Sequence, residues 1–361
     1  MIIQIQPWID HTELEQLKRV IDSTFITEAA LTKEFESMTK QLTKSPHAIA
    51  MTNGTAALYC CLKALGIGPG DEVIVPNLTF IATANAVIMA GAKPVFCDIK
   101  PDTFCIDVMF AERLITPRTK ALMPVHLYGQ SADMDEVMTF AKTFNLKVIE
   151  DAAQGVGVEF KGQHTGTFGD MGILSYYGNK TITCGEGGIV LTKGDELAQK
   201  AYRLKNHGRD TKGIFIHDHI GFNFSFTEMQ AAIGVAQMNK LPKIIEKKAL
   251  IEKRYRSELR ENGGLRHVHI DPRSKPVFWF TSILVPDAGD TEAKLKSKGI
   301  QSRRFFYPLH MQPCYRGVVD SSHQFPVSES VYNKGLSLPS SYTLTENEQA
   351  KVIKELGAIF S

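Results

Sequence analysis

Residues 70–99, GDEVIVPNLTFIATANAVIMAGAKPVFCDI, hold the repeating unit of the fold. EVIVP (72–76) and KPVFCDI (93–99) are short, nearly continuous apolar runs rich in β-branched residues. Such runs suit strands buried on both faces. Between them FIATANAVIMAG reads as helix. The same alternation extends in both directions. AIAM (48–51), KALMPVH (120–126), KVIEDA (147–152), GILSYY (172–177) and GIVLT (188–192) read as further strands. GTAALYCCLKALG and DMDEVMTFAKTFN read as helices between some of them. Strands alternating with helices predict an α/β domain with a largely parallel sheet and crossover helices on both faces.

Outside this core the pattern changes. Residues 12–43 are helix-rich, with ELEQLKRVID followed by TKEFESMTKQL. A long helical region is predicted from Thr227 to about Asn262. Beyond it FWFTSILVP resembles a strand, GDTEAKLKSKGI a helix, QSRRFFYPLH a strand entering a loop, and ENEQAKVIKELGAIF a terminal amphipathic helix. The expected division is a large domain over 1–240, N-terminal helical segment included, and a smaller C-terminal α+β domain over 241–361.

Composition narrows the function classes. The chain has 361 residues, 43% hydrophobic and 22% charged, with a net charge of +2. No basic block interleaved with aromatics points to nucleic acid. No apolar run reaches the ~18–20 residues of a membrane span. The N-terminal MIIQIQ lacks a basic lead and a cleavage site, so no signal peptide is expected. The six cysteines form no C-x-x-C pair and match neither a zinc site nor a small disulfide framework. Reduced thiols in the cytoplasm, and no metal, are the expectation.

Three stretches carry chemistry. In TNGTAALYCCL (52–62) a strand ends and a helix begins at Gly54 and Thr55. A helix start offers unpaired N–H groups to an anion, and glycine permits close approach. Alone, the stretch reads more readily as a simple capped helix start. In NLKVIEDAAQGVG (145–157), Asp151 ends an apolar strand, where α/β sheets place their ligands, and Gln154 follows three residues on. Asp151 alone could instead cap the next turn. In SYYGNKTITCGEGGIVLT (175–192), Ser175 and Lys180 precede a glycine cluster at Gly185, Gly187 and Gly188. A desolvated lysine loses its proton readily and can form a Schiff base with an aldehyde. Alone, Lys180 is one surface lysine among many. Together the three supply what pyridoxal 5'-phosphate needs: a phosphate site, an acid for the ring nitrogen and an amine for the aldehyde. Phe80 could add an aromatic face for the ring.

With these residues in place, the sequence resembles the DegT/DnrJ/EryC1/StrS sugar aminotransferases, fold-type I pyridoxal-phosphate enzymes of the aspartate-aminotransferase-like class. GDEVIVPNLTFIATANAV, GAKPVFCDI, ITPRTKALMPVHLYGQSADMD, VIEDAAQ, GDMGILSYYGNKTITCGEGG and GFNFSFTEMQAAIG all look like family signatures. SYYGNKTIT with its GEGG, and MPVHLYGQ, are similar to the GDP-perosamine synthases within the family. The resemblance implies that Lys180 carries the cofactor and moves protons, and that Asp151 pairs with the ring nitrogen. It implies that Gln154 bonds the phenolic oxygen, that Phe80 stacks on the ring, and that Gly54, Thr55 and Ser175 hold the phosphate. Asn223 would reach the phosphate of a neighbouring subunit in a homodimer with active sites at the interface. Arg303, Arg304, Tyr307 and His310 are candidate substrate contacts.

Two departures touch substrate recognition. Asn223-Phe224-Ser225 stands where many relatives carry Asn-Tyr-Arg, and Glu28-Ala29-Ala30 where many carry Gly-Pro. The implied donor is L-glutamate and the acceptor a keto sugar, in surface polysaccharide or lipopolysaccharide biosynthesis. A GDP-linked 4-keto-6-deoxy sugar is the first candidate. A keto sugar acid without a nucleotide, such as an 8-keto 3-deoxy-octulosonate, is the second. A non-catalytic regulator on the same fold is a further alternative. Cys184, where relatives often have threonine, is expected to be a tolerated small residue.

Overall fold

The computed structural model describes residues 1–210, 213, 215–318 and 323–361. The apolar runs form strands β1 (His47–Met51), β2 (Glu72–Pro76), β3 (Lys93–Cys97), β4 (Thr119–Leu122) and β5 (Lys147–Asp151). Two short strands follow, β6 (Glu159–Phe160) and β7 (Gln163–His164), then β8 (Met171–Ser175) and β9 (Gly188–Thr192). Seven of them make one sheet in the order β1-β9-β8-β5-β4-β2-β3. The pairs β2–β3, β2–β4, β4–β5 and β5–β8 are parallel. Only β9 runs against the rest, pairing antiparallel with both β8 and β1. The sheet is therefore mixed and mostly parallel, as expected.

Side-chain alternation decides which helices cover which face. Val73 and Val75 join one apolar cluster while Ile74 between them joins another. Likewise Ile49 and Met51 face α3 (Gly54–Ala64), whereas Ala48 and Ala50 face the opposite layer. Further helices are α1 (His11–Ser23), α2 (Ala30–Thr43), α4 (Ala82–Met89), α5 (Val108–Glu112), α6 (Met134–Thr143) and α7 (Asp195–Lys205). α3 is apolar nearly all round and buried nearly all round.

Local chemistry sets the helix starts. Asp10 and Glu13 form a capping box on α1. The N-cap residue of α2 is Ala29, which offers no side-chain cap. Glu228, the first residue of α8 (Glu228–Glu258), supplies it instead, accepting from Ala29 N, Leu31 N and Thr32 N at 2.8–2.9 Å.

The expected division near residue 240 falls inside α8, which runs unbroken through it. Ala231, Val235, Leu241 and Ile244 pack under the large sheet, whereas Ile251, Tyr255 and Leu259 belong to a second core. That core is built on β10 (Arg266–His267), β12 (Ser282–Leu284), β13 (Arg303–Arg304) and β14 (Gly335–Ser337), in the order β10-β12-β14-β13. β11 (Ser274–Lys275) pairs with β6 and so ties the two parts together. α9 (Ala288–Ser297), α10 (Pro326–Lys334) and α11 (Glu346–Ile359) complete the C-terminal part. FWFTSILVP is strand only over its centre. Trp279 near its start, and Val277 just before it, reach the large sheet's loops, where their N–H groups donate to Tyr128 O and Gly129 O.

Candidate active site

Five candidate residues lie at the carboxyl edge of the parallel strands, where such sheets place ligands. Asp151 is the last residue of β5 and Ser175 the last of β8. Gly54 and Thr55 follow β1 and open α3, with Asn53 Oδ1 capping Ala56 N at 2.9 Å. Phe80 follows β2 just before α4. Gly54 and Ser175 meet directly: a Cβ on Gly54 would lie 3.2 Å from Ser175 Cβ and 3.3 Å from its Oγ. Two strands thus bring a hydroxyl against a helix N-terminus, the arrangement an anion needs.

Asp151 is 4% exposed. Its Oδ2 accepts from Thr83 Oγ1 at 2.8 Å and its Oδ1 from Ala153 N at 3.1 Å. Burial raises its pKa, and the Thr83 and Ala153 bonds oppose that rise, as do the charges of Lys180 and His126. A buried carboxylate of this kind is suited to a cationic partner.

Lys180 follows β8 and is half-buried. Burial lowers its pKa from 10.5 to about 8, and Asp151 pulls the other way. Its Nζ lies 4.0 Å from the centre of the Trp279 ring. Among the described residues it has no hydrogen-bond partner. An amine with a depressed pKa and no competing acceptor is available as a nucleophile and as a proton carrier.

Gln154 is buried, and its Oε1 accepts from Tyr128 N at 2.7 Å. The amide nitrogen has no partner among the described residues and is left to donate. Phe80 exposes 53% of its surface, its ring 5.8 Å from that of Phe306. The site therefore fits pyridoxal phosphate on five counts: a hydroxyl beside a helix N-terminus, a buried acid, a free amide donor, an open aromatic face and an unpartnered amine.

Of the remaining candidates, only His310 is tied to this edge by a hydrogen bond among the described residues. Asn223 is exposed, its Oδ1 3.4 Å from Ser225 N. Arg304 stacks 4.1 Å over the Tyr332 ring, and Tyr307 meets the same ring edge-on. Arg303 lies exposed on β13. His310 binds Asn77 through its Nδ1 and its backbone N–H, with Nε2 3.2 Å from Glu329 Oε1. Asn77 follows β2, so His310 does come to the sheet's carboxyl edge. Cys184 is buried against α8, and a Cβ on Gly234 would come within 2.8 Å of its Sγ. Burial raises its thiol pKa well above the ordinary value, the setting of an inert packing group. All six cysteines are free thiols, five of them buried.

Sequence reasoning missed Thr83, Tyr128 and Trp279. Thr83 had a signal, since it stands three residues after Phe80 and so one helical turn away. Trp279 had none, because it arrives from beyond α8.

The comparisons agree with this geometry. The sequence pattern of the DegT/DnrJ/EryC1/StrS aminotransferase family matches residues 7–357. A GDP-perosamine synthase of Caulobacter vibrioides is 39% identical over 360 residues, covering 98% of this chain and 96% of the relative. The structure of DesV from S. venezuelae in complex with a ketimine intermediate superposes with a TM-score of 0.92 at 32% identity, covering 99% of both chains. The PLP form of the sugar aminotransferase Spr1654 from Streptococcus pneumoniae, described as putative, superposes with a TM-score of 0.93 at 26% identity, covering 99% of this chain and 98% of its own. The chain belongs to the DegT/DnrJ/EryC1/StrS aminotransferase family and is a pyridoxal-phosphate-dependent sugar aminotransferase.

Proposed function

We propose that this enzyme transfers an amino group from L-glutamate to a GDP-linked 4-keto-6-deoxy sugar. The setting is cytoplasmic synthesis of a surface polysaccharide or lipopolysaccharide. The observation that carries the substrate is the 39% identity, along almost the whole chain, to a GDP-perosamine synthase. SYYGNKTIT and MPVHLYGQ add to it.

The bound cofactor supplies an aldehyde that accepts the amino group and a ring that withdraws electrons. The chain's own residues do the rest. Lys180 would hold the aldehyde covalently, and its amine, with a pKa lowered to about 8, is suited to carry a proton. Asp151, pinned by Thr83 and Ala153, would keep the ring nitrogen protonated. The free amide nitrogen of Gln154 would donate to the phenolic oxygen. Gly54, Thr55 and Ser175 would receive the phosphate, and the Phe80 ring would cover one face.

A homodimer completes the site in this reading, with Asn223 serving the partner subunit. Exposed apolar side chains at Phe25 (70%), Phe215 (80%) and Ile220 (86%) support it, because such groups favour burial against a second copy. Among the described residues no helix is long and apolar enough to cross a membrane.

The test is a panel of keto sugars with glutamate as donor, followed by amino-sugar formation. Turnover of the GDP-linked 4-keto-6-deoxy sugar with kcat/KM well above the other acceptors supports the proposal. Preference for a nucleotide-free keto sugar acid would replace it. Absence of a half-reaction with any donor would mark the chain as a regulator.

A further inference from the structure

We propose that Trp279 is a positioning residue that holds both Lys180 and the turn carrying Gln154 in register, a role that rests on Lys180 being the cofactor-bearing lysine. Trp279 lies beyond α8, yet two loops at the large sheet's carboxyl edge meet it through three contacts. Its Nε1–H donates to Asn179 O at 2.6 Å, fixing the peptide immediately before Lys180. Its ring face lies 4.0 Å from Lys180 Nζ. Its backbone N–H donates to Tyr128 O at 3.2 Å.

The third contact reaches Gln154. Tyr128 sits in the left-handed region at φ 54°, which costs an ordinary residue free energy and persists only where neighbours enforce it. Two backbone bonds enforce it here, Trp279 N to Tyr128 O and Val277 N to Gly129 O at 3.1 Å. The approach is so close that a Cβ on Gly129 would lie 1.9 Å from Val277 O. In this conformation Tyr128 N–H points at Gln154 Oε1. A backbone N–H can only donate, so the Gln154 amide is fixed with its oxygen on Tyr128 N–H, and its nitrogen is left to donate to a bound cofactor.

Trp279 is itself held rigidly. It is 3% exposed, its ring centre is 4.0 Å from that of Phe280, and its carbonyl accepts from Lys248 Nζ at 3.0 Å. A lysine side chain has several soft torsions, so a free amine wanders unless something receives it. The indole face receives the cation and excludes water from it.

The experiment compares full-length Trp279→Phe and Trp279→Leu, loaded with pyridoxal phosphate, with the parent. Trp279→Phe keeps a ring and loses the bond to Asn179 O. It is expected to lower kcat about tenfold while KM for glutamate stays within about twofold. Trp279→Leu also removes the ring face from Nζ. It is expected to lower the apparent pKa of the cofactor's visible band by about 0.4–0.7. The band needs neither donor nor sugar, so it reports on Trp279 even if the substrate assignment fails. Folded variants with a lower Tm but parental kcat and band pKa would overturn the proposal, leaving Trp279 a packing residue. A raised band pKa would overturn it too, because the indole would then act only as a wall against water. Should Trp279→Leu not fold, the kcat and KM of Trp279→Phe decide the matter.

Discussion

Replacing Lys248 by methionine separates two contributions of opposite sign. Lys248 lies on α8 and is 3% exposed. Its Nζ donates to Trp279 O at 3.0 Å and Ser340 O at 3.2 Å. Glu252, one turn further along the helix, bonds to Arg256 instead. With only carbonyls for partners, burial lowers the Lys248 pKa from 10.5 to about 7. Methionine fills similar volume but leaves both carbonyls without that donor, at a cost of about 1–3 kcal/mol each. It also removes the cost of burying a charge, which is present in full below pH 7. Between pH 7 and 10.5 the unfolded chain binds the proton that the folded chain has lost. The parent therefore gains stability as pH rises, by at most about 1.4 kcal/mol per pH unit from this group, and the variant does not. The parent's advantage over the variant should accordingly grow by about 2–3 kcal/mol from pH 6.5 to pH 9. Urea unfolding of both proteins, saturated with cofactor and followed by circular dichroism at several pH values, measures that difference. Other titrating groups are common to both proteins and cancel. An advantage that stays constant with pH would refute the reasoning, because the ammonium would then be charged and compensated throughout.

Three further outcomes check the site itself. Lys180→Ala should show no turnover and no cofactor trapped by borohydride, as read by intact mass. Thr83→Val removes the 2.8 Å bond to Asp151 Oδ2, one of the contacts that oppose the rise of its pKa. Activity needs Asp151 ionised, so the acid limb of the kcat/KM profile should move to higher pH by about half to one unit. Gly54→Ala puts a Cβ 3.2 Å from Ser175 Cβ and should weaken cofactor binding about tenfold, measured by titrating the cofactor-free protein.

Much of this was legible in sequence because it depends on short-range pattern. Each strand of the seven-stranded sheet is a short, largely apolar run, so its existence and approximate place follow from composition, whereas the two-residue β6 and β7 carry no such signal. Asp151 was found because it stands at the end of such a run, Gly54 because a helix starts there, and Ser175 only through the family resemblance, since GILSYY read as strand through residue 177. Residue 240, where the division was placed, lies inside α8. A helix shows its period but not which core each turn meets, and α8 passes from one core to the other between Ile244 and Ile251. FWFTSILVP looked like one strand for a related reason. Its leading residues bond to the Tyr128–Gly129 turn, and no local periodicity distinguishes that from a sheet ladder.

Trp279 marks the limit most clearly. It and Lys180 stand a hundred residues apart, and the tertiary path alone joins them. What makes it matter is a set of backbone partners: Tyr128 O, Asn179 O and, through Tyr128 N, the orientation of Gln154. Backbone groups are the same in every residue, so a sequence cannot display which of them will be shared. It displays only the exceptions that such sharing requires. Gly129 is one, because the carbonyl of Val277 occupies the place where any side chain would begin. Reading that glycine as room left for a neighbour, rather than as a turn, is the inference that would have led from MPVHLYGQ to the segment around Trp279.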